Sequence, residues 1–368
     1  MNRFDVAIIG GGPAGSSCAA VLAAAGIRTV LIEKAKFPRA KLCGDCLNPK
    51  VWDLLGILGV SETLRSKNLF PLSTVTFLSK SGHQFSINVP QTSQGPFVSF
   101  SRSEFDAILL NNARTKGAFV QEGQSVRTFD WSGVWSLQRA EGTILADYLV
   151  GADGRNSMVG RVLGARQKPG KSAARERVAV QWNCAYQERL NRSVLMGLFD
   201  GGYFGIVNLD EHCANIALVT TPRQAASAVK DFARFFDETI ATNRNAAALL
   251  QSAEPRGTIR TVTPVNPVRR QLFHPRALLI GDARCTVEPF TGEGVFFALQ
   301  DGIKAAMSLI ARIHRTEPSL LPERKRFWVN NIFSPVLRRS GTANTAIELG
   351  YALPSGVGAY LASRIFSV

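Results

Sequence analysis

Phe4-Asp5-Val6-Ala7-Ile8-Ile9-Gly10-Gly11-Gly12-Pro13-Ala14-Gly15, continued by Ser16–Ala25, Gly26 and Arg28–Glu33, is the stretch that decides the fold. Phe4–Ile9 is short, apolar and rich in β-branched residues, so it reads as a buried strand. Ser16–Ala25 is small and helix-prone, and Gly26 closes it. Arg28-Thr29-Val30-Leu31-Ile32-Glu33 is a second buried strand, which makes a βαβ unit. In Gly10-x-Gly12-x-x-Gly15 the first glycine allows the tight turn, and the second lets a pyrophosphate approach the backbone. The third lets the helix pack closely on the strand. The helix start, with Pro13 and Ala14, offers free N–H groups and a positive dipole end to phosphates. Glu33 closes the second strand at the spacing of an acid that binds ribose hydroxyls. A dinucleotide site is expected here.

Working outward, Leu72–Leu78 and Gln84–Val89 alternate around Ser79-Lys80-Ser81-Gly82 and predict a hairpin. Ser103–Lys116 reads as a helix. Val134–Gln138 and Ile144–Leu149 read as a β pair running into Val150-Gly151-Ala152-Asp153-Gly154. Val178–Tyr186, Val194–Phe199, Tyr203–Leu209 and Ala214–Val219 are candidates for one antiparallel sheet. Arg223–Ile240 reads as an amphipathic helix. Arg276–Ile280 is a short strand leading into Gly281-Asp282, and Gly294–Ile313 is helical. Leu320–Val368 mixes basic and apolar residues and reads as helical. It is expected to cap the fold, with a membrane or partner contact as the alternative.

A chain of 368 residues with 45% hydrophobic and 19% charged residues is an ordinary globular balance, large enough for two interleaved domains. No uninterrupted apolar run of about 18 residues occurs, so no membrane span is expected. Asp5 and the glycines at 10–12 break the N-terminal run, which argues against a signal peptide and for a cytosolic location. The net charge of +15 favours anions, acidic partners or anionic surfaces. The basic residues are scattered and form no nucleic-acid module, so nucleic acid is not expected as a partner. Of six cysteines only Cys43 and Cys46 are close, and one CxxC lacks the second ligand pair of a zinc site. His83, His212, His274 and His314 are far apart in sequence, and no metal is expected.

The distant segments distinguish one dinucleotide from another. Gly281-Asp282 places an acid just past a strand, where it can bind the hydroxyls of a ribityl chain. Pro289-Phe290-Thr291-Gly292-Glu293-Gly294 opens a helix whose N–H groups can face the anionic edge of a reduced flavin. These segments resemble the flavoprotein superfamily that includes the single-component aromatic hydroxylases, the geranylgeranyl reductases and the flavin-dependent halogenases. Gly10–Gly15 with Glu33 resembles its ADP-binding loop. Gly151-Ala152-Asp153-Gly154-x-x-Ser157 resembles its DG motif, which implies contact with FAD and with a nicotinamide cofactor. Gly281–Gly294 resembles its GD motif, and Arg102 with Phe105, Asp106 and Leu109 resembles the arginine that approaches the FAD pyrophosphate. Lys34, Gly44, Asp45 and Val126 complete the expected cofactor set. The matches run from about Asp5 to Ala306.

Phe37-Pro38-Arg39-x-Lys41-x-Cys43-Gly44-Asp45-x-Leu47-x-Pro49 resembles the flavin-passing segment of geranylgeranyl-reductase-like proteins, whereas the halogenases carry Gly-Glu-Ser in the corresponding place. The Tyr-x-Trp-x-Phe-Pro strand of that branch becomes Tyr203-Phe204-Gly205-Ile206-Val207-Asn208 here. Loss of the indole is expected to open space over the flavin. Tyr203, Cys43 and Cys46 are the pocket candidates, the cysteines either as a redox pair or as packed thiols, with packing preferred. Arg39 and Lys41 are read either as phosphate ligands or, preferentially, as a solvated surface loop. No second strand–GxGxxG–helix unit is present, so NAD(P)H is expected to bind transiently or a partner to deliver electrons.

The expected fold is α/β. It comprises a discontinuous Rossmann-like FAD-binding domain (1–70, 99–165 and 270–315), an inserted antiparallel β-sheet substrate domain (71–98 and 166–269) and a helical C-terminal segment (316–368). The expected activity is that of a FAD-dependent oxidoreductase, a reductase, dehydrogenase or monooxygenase, on an apolar or aromatic small molecule. The alternatives are a tailoring oxidase or halogenase-like enzyme acting on a substrate tethered to an acidic carrier protein, and a flavin-binding electron-transfer protein without turnover.

Overall fold

Asn2–Ile9 and Thr29–Glu33 pair in parallel, with the helix Pro13–Ala24 crossing between them, so the opening βαβ unit forms as read. The computed structural model describes residues 2–89, 95–169, 176–185, 190–235, 238 and 254–315. The first sheet runs Phe119–Glu122, Thr29–Glu33, Asn2–Ile9, Gly142–Gly151, Trp135–Arg139, Thr128–Trp131, and Ala277–Leu279 also pairs in parallel with Gly142–Gly151. Its central strands are apolar on both sides because both faces are covered. Val6, Ile8, Leu31 and Val150 lie under the helices, and Ala7, Ile9, Val30 and Ile32 pack with Phe129, Trp135 and Leu137 on the other face.

Three helices build the covered face: Pro13–Ala24, Arg102–Thr115 and Gly294–Ile313. A Cβ at Gly302 would lie 2.1 Å from the Ser17 Oγ and 2.3 Å from the Ala14 carbonyl oxygen, so the first and last of these helices touch backbone to backbone. By length and composition alone the last one could cross a membrane. Its Phe297, Leu299, Ile303, Ala306 and Leu309 are buried, which explains the apolarity as core packing.

The second sheet runs Glu254–Val262, Val178–Ala185, Cys213–Thr220, Gly202–Asn208, Ser193–Phe199, Thr74–Leu78, Gln84–Asn88. It is antiparallel except where Ser193–Phe199 meets Thr74–Leu78 in parallel, which joins the hairpin to the four strands read from the sequence. On one face Trp182, Phe204, Ile216 and Leu218 pack with Ala225 and Ala228 of the helix Pro222–Lys230. The other face meets Leu42, Cys46 and Phe290. The helix expected over Arg223–Ile240 stops at Lys230. Asp231 is extended and its carboxylate accepts the Arg234 N–H at 3.0 Å, a local bond that ends one helix and starts the short turn Phe232–Phe235. Ile240 and the expected tail helix over Leu320–Val368 lie outside the described residues. Cys46–Leu47, Phe70–Leu72 and Phe97–Ser99 form a small third sheet that ties the CxxC segment in place.

Candidate active site

The glycines of the three distant motifs divide into two kinds. Gly10, at φ +109°, has no room for a side chain, because a Cβ there would stand 2.4 Å from the Ala152 carbonyl oxygen. A Cβ at Gly15 would stand 1.9 Å from the Gly10 oxygen, and one at Gly281 would stand 2.8 Å from the Ala14 Cβ. These tight contacts bring the 10–15, 151–154 and 281–294 segments together. Gly12, Gly154 and Gly294 instead face open space among the described residues: the atom nearest a Gly12 Cβ is the Arg39 Nη2 at 3.6 Å, none lies within 4 Å at Gly154, and Gly294 meets the Val287 Cγ2 at 3.9 Å. Among the described residues no side chain caps the helices that begin at Pro13 and Gly294, and such helix starts suit an anionic ligand.

Glu33 is buried. One oxygen accepts the Gly11 N–H at 2.7 Å and the other the Ala35 N–H at 2.9 Å, so the acid shapes the loop and keeps lone pairs for ribose hydroxyls. Lys34 beside it is exposed. The Val126 side chain packs in the core with Ile9 and Ile32. The Asp153 carboxylate takes the Ser157 hydroxyl at 2.6 Å and the Val159 N–H at 3.0 Å, so it caps the turn Met158–Val162. Asp282 is half-exposed with its carboxylate 3.9 Å from Arg155, and the Gly281 N–H donates to Asp301 at 3.0 Å.

Arg102 and Asp106 form a buried two-pronged pair, Nε to Oδ1 at 2.9 Å and Nη2 to Oδ2 at 3.1 Å. Burial works against the Arg102 charge, but Asp106 and Cys43 together outweigh it and hold the guanidinium pKa above its ordinary value. Arg39 does not belong to a solvated loop. Its guanidinium lies 4.6 Å over the Phe37 ring, reaches Asp106 at 3.5 Å and borders Gly12. Lys41 still meets solvent, but the walls of the cleft and then Arg102 lower its pKa. Arg39, Lys41 and Arg102 gather beside the glycine loop, with Asp106 paired to both arginines and Asp282 acting on Lys41, and three cations on one wall of the cleft suit a pyrophosphate. The open glycines, uncapped helix starts and cations fit FAD, which Gly10–Gly15 and Glu33 would hold on the ADP side and Gly281–Gly294 and the 43–46 segment on the flavin side.

Asp45 holds that segment in shape. It has φ +50° and is buried; its carboxylate accepts the Arg102 N–H at 3.0 Å and a hydrogen bond from the Asn215 amide. Burial pushes its pKa up to about 6 against the pull of these bonds. The Asn215 Nδ2 also donates to the Cys43 carbonyl at 2.8 Å. Gly44 is exposed. Cys43 and Cys46 are free thiols. Burial raises the Cys43 pKa although Arg102 stands 3.5 Å from its sulfur, and burial pushes Cys46 up to about 12. A redox pair needs a thiolate, so this geometry favours the packed-thiol reading. Cys46 lies 3.6 Å from where a Gly292 Cβ would be, which sets the CxxC segment against the start of the last helix.

Two buried residues missed in the sequence complete the site. The Tyr203 hydroxyl donates to the Glu288 carboxylate at 2.7 Å, and Arg177 lies 3.9 Å from the same oxygen and 5.3 Å over the tyrosine ring. Burial and then Glu288 raise the Tyr203 pKa well above its ordinary value. Phe290 meets the ring edge-on at 5.1 Å. Tyr203 therefore anchors the turn Pro289–Thr291, its hydroxyl committed to Glu288. The only sequence signal was an acid, Glu288, directly before Pro289 inside an apolar stretch. Gly205 is half-buried, and the Met196 sulfur stands 3.1 Å from a Cβ position there, so the flexible Met196 side chain takes up part of the space that the missing indole would have filled.

A family model described as an FAD binding domain matches residues 3–325. A menaquinone reductase of Mycolicibacterium smegmatis is 31% identical over 329 residues, 83% of this chain and 76% of that protein. A tryptophan 2-halogenase of Chondromyces crocatus is 25% identical over 84% of this chain and 61% of its own length. A flavoprotein/dehydrogenase structure from Cytophaga hutchinsonii superposes with a TM-score of 0.81 at 18% identity, covering 99% of this chain and 92% of that one. With its glycine motifs converging on one cleft and the family match spanning nearly all of the described residues, the chain belongs to the FAD-binding-domain family of flavin-dependent oxidoreductases.

Proposed function

We propose that the chain is a reductase-like FAD enzyme that acts on an apolar aromatic small molecule, with NAD(P)H as a transient reductant. The observation that carries this reading is the opening in the second sheet. Gly205 and Ala217 are half-buried in a face whose neighbouring rows are buried, and that face meets the Cys43–Cys46 and Pro289–Gly294 segments. The Cys43-Gly44-Asp45-Cys46 segment and the likeness to a mycobacterial menaquinone reductase support the reductase-like branch. Bound FAD would supply the two-electron chemistry, and the chain supplies position and exclusion of water. Arg39, Lys41 and Arg102 hold the phosphate side. Asp45 and Glu288 fix the two segments at the flavin side. Phe290 and Met196 give the pocket apolar walls.

The test is anaerobic. The purified chain is loaded with FAD, mixed with NADH or NADPH, and followed for bleaching of the flavin and conversion of quinone and phenol substrates with and without oxygen. Conversion without oxygen is expected. Conversion that requires oxygen would replace the reductase reading with a monooxygenase, and a chain that cannot bind FAD would overturn both.

A further inference from the structure

The register of the second sheet sets four residues in one row across four strands. Gln181 pairs with Ala217, Ala217 with Gly205, and Gly205 with Met196. Ala217, Gly205 and Met196 are half-buried, whereas Ala179, Val219, Tyr203 and Leu198 of the row on one side and Asn215, Val207 and Val194 of the row on the other are buried, and the latter row ends in a half-buried Asn183. A gap in the middle of an otherwise covered face is a seat. Its flanking strands are three strand spacings apart, about 14 Å. Once the Gln181 and Met196 side chains are subtracted, that width suits a fused-ring system lying flat on the backbone.

One end of the row is apolar. Met196 stands beside Phe77 in register, and Phe77 lies 6.0 Å from Phe290. The other end is polar, with Arg260 and Arg256 opposite Gln181 and Asn183 in register. Gln181 and Asn215 are each 1% exposed, and Asn183 pairs directly with Asn215 across the strands. The Gln181 Oε1, Asn183 Oδ1 and Asn215 Oδ1 are buried with no hydrogen-bond partner among the described residues. The Asn215 amide cannot be turned over to relieve this, because its Nδ2 already serves two acceptors, the Cys43 carbonyl and the Asp45 carboxylate. Even with these two arginines alongside, the three neighbouring amide oxygens have no partner among the described residues, which leaves them for a donor on a ligand.

We propose that Gln181, Asn183 and Asn215 are the acceptor end of the substrate seat, and that the seat takes a fused-ring arene with a hydroxyl donor on one edge. The hydroxyl points to the amides and the rings lie over Ala217 and Gly205. This rests on the reading of the second sheet as the substrate side of the flavin.

The test is binding without turnover. The full chain loaded with FAD, with no reductant present, is titrated with 2-naphthol, naphthalene and 1,4-naphthoquinone while the visible flavin spectrum is followed. The wild-type chain is expected to bind 2-naphthol about tenfold more tightly than the other two. Gln181→Leu is expected to erase that preference while keeping FAD and residual binding of naphthalene. Gly205→Trp is expected to fill the seat and abolish binding of all three, with FAD retained. Equal affinity for naphthol and naphthalene in the wild-type chain, which buried water satisfying the amides would produce, overturns the proposal. So does a preference that survives Gln181→Leu, or no binding of any probe. Because no reductant is used, an enzyme that fails the anaerobic assay but shows the naphthol preference sinks only the activity reading. One that reduces quinones without the preference sinks only the seat.

Discussion

Asp45→Asn tests the buried carboxylate at the heart of the flavin-passing segment. Asp45 is 6% exposed, and its pKa stands at about 6 against an ordinary 3.8. Between these values the folded chain keeps a proton that the unfolded chain has released. Stability owed to Asp45 is therefore complete below pH 3.8, falls as the pH rises, and is gone above about pH 6. The whole difference amounts to about 3 kcal/mol. Unfolding entropy of about 2.1 cal/mol/K per residue over 368 residues converts that into a melting shift of about 4 °C. Asparagine cannot ionise. Its amide also cannot accept from both Arg102 and Asn215, but that cost is a constant offset at every pH. The assay is thermal unfolding of the flavin-free full chain and of the variant from pH 4 to pH 8, followed by circular dichroism. The wild-type-minus-variant difference in melting temperature is expected to fall by about 4 °C as the pH rises and then to level off. A flat difference, or one that rises with pH, would show that Asp45 is charged throughout and would refute the reasoning.

Tyr203→Phe removes the Tyr203 hydroxyl, a donor to a carboxylate that is 2% exposed. The expected cost is about 2 kcal/mol in urea unfolding, accompanied by weaker FAD binding because the turn Pro289–Thr291 loses its anchor. A variant as stable as the wild-type chain would refute the anchor. Gly15→Ala puts a methyl group 1.9 Å from the Gly10 oxygen, so the helix must lift off the strand. Expression without bound flavin is expected, read from visible absorbance of the purified chain, and full flavin occupancy would contradict the packing.

The cofactor side was legible because its chemistry is local. The turn, the backbone approach and the helix packing each need a glycine at a set spacing, and Gly10, Gly12 and Gly15 meet those needs within six residues of chain. The long apolar runs gave the central strands for the same reason. The substrate side depends on partners far apart in sequence: Tyr203 and Glu288 are separated by 85 residues, Asp45 and Asn215 by 170. Nothing near Arg177, Gln181 or Asn215 announces them, and Glu288 is marked only by its place before Pro289, since each gains its meaning from the residue opposite. Arg39 looked like a surface charge because its partner Asp106 sits on another element. Short strands such as Phe119–Glu122 and Cys46–Leu47 carry too few alternating residues to be read, and they exist because neighbouring strands leave them unpaired groups to satisfy.

The two buried carboxylates have a common logic. Asp45 sits on the CxxC segment and Glu288 just before the start of the last helix, and each takes a hydrogen bond from the second sheet, from Asn215 and Tyr203 respectively. In register these two donors lie in the rows on either side of the Gly205–Ala217 gap. The sheet is thus latched to the flavin-side segments on both flanks of the place where a substrate would lie, and the gap between the latches stays open. A buried carboxylate is costly without its donor, so neither latch can open without exposing an acid that folding had satisfied. Side chains in the gap itself carry no such duty. Substitutions at Gly205 or Ala217 are therefore expected to alter which molecule fits while leaving flavin binding intact, whereas substitutions at Asn215 or Tyr203 are expected to disturb both.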